Sequence, residues 1–285
     1  MKLSIIVLNW NGQELLRQTL TSIYDTVRNS DFEVIVVDNH STDDSEAMVR
    51  GDFPKVKLIV NEENYGFAKG NNIGLKQASG DYLMLLNNDV IVQAGAIEIL
   101  VDYLNSHPDV AMVGPRLLNR DGSFQHACRR ALPTPANSFY HLFGLTKIFK
   151  NNAAINQYKK LNQAENITTP TEAISGAAMM LRRSVYEKIG GLDEQFFMYG
   201  EDLDYCKRVT ESCGPIVYVS EAKIVHLGGE SAGKCRYQSL LNFYDAMWLY
   251  YKKYFFKKHN LLFNGVIWSG IKLKLFLASL FNFFR

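Results

Sequence analysis

The sequence predicts an α/β chain: a mostly parallel, doubly wound sheet with helices on both faces, followed by an amphipathic helical tail. Apolar, β-branched runs alternate with segments of helical spacing, which is the pattern of βαβ units. Those runs are continuously apolar, as strands covered on both faces are. Near residue 246 the charge balance then changes: residues 246–285 hold seven Lys+Arg and no acid. The preceding 245 residues carry 24 basic and 29 acidic groups, a net of −5, inside a whole-chain charge of +2. With 47% hydrophobic and 21% charged residues among 285, disorder is excluded.

The first strand is residues 3–8 (LSIIVL), followed by a helix over 13–27 with Leu15, Leu16, Leu20 and Ile23 at helical spacing. A second strand covers 33–38 (EVIVVD), and a helix over 41–50 opens with Ser41-Thr42-Asp43-Asp44, an N-cap and acidic first turn. Strands at 56–60 and 81–86 flank a helix over 71–78, and a helix over 95–107 precedes a short strand at 110–113. Between 115 and 171 the periodicity fades, punctuated by Pro133, Pro135, Asn151 and Asn152. Regularity returns at 173–182, at a helix over 203–211 and at a strand over 215–225. Residues 1–235 are expected to form one domain, in two halves at 1–115 and 116–235, with 236–285 as a basic, aromatic helical tail.

Cys128, Cys206, Cys213 and Cys235 have no C-x-x-C spacing and read as reduced thiols of a cytoplasmic protein. The apolar run after Lys2 is too short for a secretory leader, and no segment before residue 240 could span a bilayer.

In an open parallel sheet, ligands bind beyond the carboxyl ends of the strands. Polar residues collect at four such exits: Asn9 and Asn11 after the first, Asp38 after the second, 61–67 after the third, and Asn87-Asn88-Asp89 after the fourth. No G-x-G-x-x-G follows the first strand and no P-loop is present. Asp38 suits a ribose or base edge, or a loop cap. A carboxylate at Asp89 suits a divalent cation completed by phosphates and water. Downstream, Phe196-Phe197-Met198-Tyr199 leads into Glu201, Asp202 and Asp204. Acids beside an aromatic wall suit general-base work, because partial burial raises carboxylate basicity. His226 ends an apolar strand, and imidazole suits Mn²⁺.

These segments together resemble a family-2 inverting glycosyltransferase of the GT-A fold, in its rhamnosyltransferase-like branch. The resemblance rests on SIIVLNWNG (4–12), VVDNHSTD (36–43), NYGFAKGNN (64–72), LLNNDV (85–90), ISGAAMMLRR (174–183), GGLDEQFFMYGEDLDYCKR (190–208) and the His226 segment. It implies that Asp38 contacts the nucleotide base. Asn64, Gly66, Phe67, Lys69 and Asn72 would line the nucleotide and sugar pocket, with Asn9, Asn11, Asn87 and Asn88 at the strand exits beside it. It implies Mg²⁺ or Mn²⁺ on Asp89 and His226, with Asn87 standing where the family's first metal-motif Asp often does. Asp202, paired with Glu201, matches the catalytic base.

One base and one cation suffice for an inverting transfer, unlike a glycosidase, whose two carboxylates flank the bond. The resemblance favours dTDP-rhamnose as donor, with UDP- or GDP-sugars using the same pocket outline, and a lipid-linked glycan as acceptor. Arg129 and Arg130 could fork onto an acceptor pyrophosphate. A nucleotidyltransferase lacks its Gly-rich basic loop here, and a non-catalytic sugar-nucleotide binder would not need Asp89, Asp202 and His226. Nucleic acid is not expected, because the basic groups sit in the greasy tail. In that tail, residues 261–271 form an apolar run of eleven, which Lys272 and Lys274 end. A membrane-surface helix at the inner face of the cell membrane is expected, held by aromatic residues and anionic lipid, with packing on the globule or against a partner as the alternative.

Overall fold

Strand β1 (Lys2–Asn9) is buried along nearly its whole length, and its alternate residues feed two separate cores. Leu3, Ile5 and Val7 face helices α1 (Gln13–Thr26) and α4 (Ala96–Ser106), through Leu16, Leu20, Ile97 and Leu100. Ile6 faces the other side, with Leu75 of α3 (Gly66–Gln77) and Tyr205 and Val209 farther along the chain. A strand buried on both faces is apolar at nearly every position, with the buried Ser4 satisfied by Glu33, so no alternation is visible in its sequence. The computed structural model describes residues 2–28, 31–142, 163–228 and 236–283. Asn151, Asn152, Cys235, Phe284 and Arg285 lie outside them.

Strands β2 (Asp31–Asp38), β3 (Lys57–Val60) and β4 (Tyr82–Asn87) extend β1 in the parallel order β3-β2-β1-β4. Helix α2 (Ser45–Asp52) and α3 make the crossovers. The second half continues the same sheet through β5 (Val90–Val92), β6 (Met112–Leu118), β10 (Ala178–Arg182) and β11 (Ile216–His226), in the order β4-β10-β6-β11-β5. β8 (Thr169–Thr171) pairs with β11 to complete nine strands among the described residues, and β7 (Arg129–Arg130) pairs with β9 (Ala173–Ile174) in a small second sheet. β10 runs antiparallel to both β4 and β6, and β11 is antiparallel to β5 and β8. The parallel order therefore holds up to β4, and beyond it the sheet is mixed. β6 outlasts the expected strand at 110–113. It continues through Pro115, which lies opposite Val219 where the pairing slips to Lys223, a position at which a missing N–H is tolerated.

Two helix starts differ from expectation. Ser41 does not cap α2, because its hydroxyl is bound to Asp38 and the helix begins at Ser45. α3 begins at Gly66, five residues early, where a left-handed glycine (φ +79°) turns the chain into it.

Helices α5 (Pro135–Leu142), α6 (Arg183–Ile189) and α7 (Glu201–Ser212) lead to the tail, which is a helical hairpin of α8 (Arg236–Tyr254) and α9 (Leu261–Phe283). α8 is tied to α7: Asp204 accepts from the Tyr254 hydroxyl at 2.7 Å and pairs with Lys253 at 2.5 Å. α9 is tied to α8 by Tyr251, which donates to Asn264 at 2.6 Å. The expectation that Lys272 and Lys274 leave an apolar run too short to span a bilayer does not hold. α9 runs continuously for 23 residues, about 34 Å at 1.5 Å per residue, and residues 261–280 are long and apolar enough to cross a bilayer. A helix has no reason to stop at a lysine, whose long stem leaves the backbone bonds intact.

Candidate active site

The in-register ends of the parallel strands assemble the site. Asn9 lies opposite Asp38, and Leu8 opposite Asn87, so three polar exits sit on one edge. Asp38, 2% exposed, accepts from Asn9 Nδ2 at 2.9 Å and from the backbone N–H and hydroxyl of Ser41, each at 2.7 Å. Asn9 in turn accepts from Asn88 Nδ2 at 2.6 Å. The Asn11 backbone N–H also binds the Ser41 hydroxyl, and Asn11 Oδ1 accepts from the Thr42 N–H at 2.7 Å. These residues form one polar floor, buried at Asn9, Asp38 and Asn88 and opening to solvent at Thr42, and Ser41 is a member that the sequence pattern assigned elsewhere.

A second network holds the loop after β3. Asn39 donates to Asn64 Oδ1 at 3.2 Å and to the Gly66 carbonyl at 3.0 Å, while Asn61 donates to Asn39 at 2.8 Å. Only glycine fits at 66: an added Cβ would stand 2.4 Å from the Phe197 carbonyl, which also accepts from the Phe67 N–H. Lys69 rests its ammonium 3.5 Å from the centre of the Tyr65 ring. Asn72 uses its amide elsewhere, donating to the Leu192 carbonyl and Glu194 and accepting from the Leu192 N–H. It fixes the 191–194 turn, and its amide is not directed at the pocket.

Asp89 and His226 meet because His226 pairs with Val90 across β5 and β11, and the Leu227 N–H donates to the Asp89 carbonyl. Gln125 Oε1, an acceptor, lies 2.8 Å from His226 Nδ1, which favours the tautomer with its proton on Nδ1. In the neutral ring, Nε2 keeps its lone pair 3.2 Å from Asp89 Oδ1. That oxygen is buried and has no hydrogen-bond partner among the described residues. In that tautomer two acceptors face each other, and an imidazole–carboxylate pair of this kind is a donor set that would suit Mn²⁺ or Mg²⁺. Among the described residues no cluster of three or more His, Cys, Asp or Glu forms, so phosphates and water would fill the remaining positions. Asn87 Nδ2 lies 3.5 Å from His226 Nε2.

The three acids at the start of α7 have three different surroundings. Asp204, fully buried, is neutralised by Arg208 and Lys253 and belongs to the scaffold. Burial pushes the Glu201 carboxyl up to about 8, helped by the Asp202 and Asp204 charges, so it holds its proton at neutral pH. Asp202 is paired with Arg130 and accepts from the Gly176 N–H at 3.2 Å. The Gly176 loop also carries the Ala177 carbonyl, which accepts from the Asn87 N–H. Through this loop the acid pair adjoins the β4 exit. An added Cβ at Gly176 would lie 3.4 Å from Asp202 Cβ and 3.5 Å from the Phe67 ring. Asp202 and Phe67 thus adjoin Gly176, while Asn87, bonded to the next residue of the same loop, lies beside His226 and Asp89.

Arg129 and Arg130 do not act as a pair. Neighbours on a strand point to opposite faces. Arg129 is 1% exposed, its guanidinium 4.7 Å from the Tyr218 ring centre, whereas Arg130 reaches Asp202. Beside Arg130, Glu201 and Asp202, a cavity of about 350 Å³ extends to the tail helices. Gln125 and this cavity have no local sequence signal. The Cys128 and Cys206 thiols are pushed up to about 11 and about 12 by burial, and so are inert.

Residues 4–190 match the family described as "Glycosyl transferase family 2", and residues 156–228 match "N-terminal domain of galactosyltransferase". The chain is 27% identical over 212 residues to an N-acetylglucosaminyl-diphospho-decaprenol L-rhamnosyltransferase of Mycobacterium tuberculosis, covering 70% of this chain and 68% of the relative. It is 36% identical over 111 residues to a GalNAc(5)-diNAcBac-PP-undecaprenol beta-1,3-glucosyltransferase of Campylobacter jejuni, covering 36% and 35%. In fold it is similar to S. aureus TarS 1-349 in complex with UDP-GlcNAc, with a TM-score of 0.60 at 19% identity over 97% of this chain and 73% of that one. It is also similar to GalNAc-T7 with UDP, GalNAc and Mn2+, with a TM-score of 0.60 at 16% identity over 80% and 44%. Because the family match spans well over half of its residues and its neighbours share the GT-A sheet, the chain belongs to glycosyl transferase family 2.

Proposed function

We propose that this chain is an inverting glycosyltransferase that moves a sugar from a nucleoside diphosphate to a hydroxyl of a lipid-linked or growing cell-surface polysaccharide. The observation that carries this reading is the meeting of an ion-paired acid, Asp202, with the Asp89–His226 couple across the Gly176 loop. In this reading Asp202 takes the acceptor proton, and the protonated Glu201 adds no second negative charge beside it. Arg130 covers Asp202 until the acceptor's diphosphate offers its guanidinium a better partner. Asp38 and Asn11, in the polar floor, hold the nucleotide, while Phe67 and Lys69 border the sugar. Asp89 and His226 would hold Mg²⁺ or Mn²⁺, which when bound supplies Lewis-acid charge to the leaving diphosphate.

A rhamnosyl donor is supported by the name of the mycobacterial relative, and a polyprenyl-linked acceptor by both relatives' names. The tail supports a site at the membrane surface, on its inner face. One side of α9 packs on α8, which is anchored to α7, so the helix lies along the globule with its apolar outer side free. A thermal-shift panel of dTDP-rhamnose, UDP- and GDP-sugars with Mn²⁺ tests the donor. A ligand at 100 times its dissociation constant adds about 2.7 kcal/mol. dTDP-rhamnose is expected to give the largest shift, and a panel with no shift contradicts the reading.

A further inference from the structure

The geometry points to a binding site for the prenyl chain of a diphosphate-linked acceptor, held between α5, α7, α8 and α9 with its diphosphate at Arg130. This inference rests on the lipid-linked acceptor of the reading above and adds where the lipid is held. The cavity of about 350 Å³ falls within the roughly 300–1,000 Å³ of small-molecule sites. The acidic and basic residues of its lining are neighbours: Arg130, its partner Asp202, and the protonated Glu201. Its walls are otherwise mostly apolar, among them Met247, Phe255 and Ile267. The occupant that fits is apolar along its length and anionic at one tip, with that tip matched to the Arg130 guanidinium.

Two features of α9 complete the argument. Gly270 lines the cavity, and a Cβ added there meets nothing within 4 Å, so a side chain placed at 270 has room beside the cavity. Val266 also lines it while being 69% exposed, and the exposed Leu262 and Leu273 lie on the same helix. The cavity therefore opens onto the free apolar surface of α9. A chain drawn from a bilayer would pass from lipid to cavity without crossing water.

The test is calorimetric titration of the full chain with farnesyl diphosphate and, in a second arm, with inorganic pyrophosphate. The wild type is expected to bind farnesyl diphosphate at least tenfold more tightly than pyrophosphate. Gly270→Leu fills the space and is expected to remove that difference while leaving pyrophosphate affinity unchanged. Gly270→Ala, a helix-favouring change, is expected to give a severalfold loss and carries the test if the larger variant does not fold. Equal affinity for the two probes in the wild type overturns the inference. So does a farnesyl preference that survives in a folded Gly270→Leu protein, or in Gly270→Ala if the larger variant does not fold. If the Gly270 effect is found but no nucleotide sugar binds or is consumed, the prenyl site stands and the transferase reading falls.

Discussion

Glu201 and Asp202 are adjacent in sequence, yet their surroundings divide the work between them. Asp202 faces Arg130 and the Gly176 N–H, while Glu201 is buried with one carboxyl oxygen lacking a partner among the described residues. Folded Glu201 holds its proton to about pH 8, whereas the unfolded chain releases it near 4.5. Between those values the native state binds the extra proton, so stability falls as pH rises, by up to about 1.4 kcal/mol per unit. Urea unfolding from pH 5 to pH 8 is expected to show that decline in the wild type and a flatter profile in Glu201→Gln. Parallel profiles would contradict the burial argument. The same scale explains why Arg129 and Arg130 read alike in sequence: strand alternation, not residue type, sends one into the core and the other to the base.

At the scale of elements, α9 is the helix whose environment its packing leaves open. Leu262 is 84% exposed and Leu273 55%, and only one stripe, through Asn264 and Ile271, is buried. Replacing Leu262 and Leu273 together by Asp is expected to release the protein from anionic vesicles in sedimentation without lowering its melting temperature. Retention on the vesicles would remove the membrane-surface role. The strands were legible because burial on both faces requires unbroken apolar runs, and β1, β2 and β4 satisfy that locally. The antiparallel direction of β10 was not legible, since it follows from a connection through a segment of weak pattern. Ser41 misled because a serine before a helix and a serine buttressing Asp38 look the same in sequence.

Over the whole molecule, one sheet joins both halves of the chain and brings the β4 exit, the end of β11 and the start of α7 to a common edge. The acids and His226 were legible as residue types that suit a transferase. Gln125, which favours one His226 tautomer, lies in the stretch without periodicity and gave no signal. The cavity is assembled from residues 130–271, so no window of sequence contains it. The central claim is that Asp202 acts on the acceptor while the strand exits hold the donor, so the two functions should separate. Transfer assays and donor calorimetry on Asp202→Asn measure this directly. Transfer is expected to fall by about 10²–10⁴-fold with donor affinity unchanged. An equal loss of donor affinity, or transfer that persists, would contradict the account.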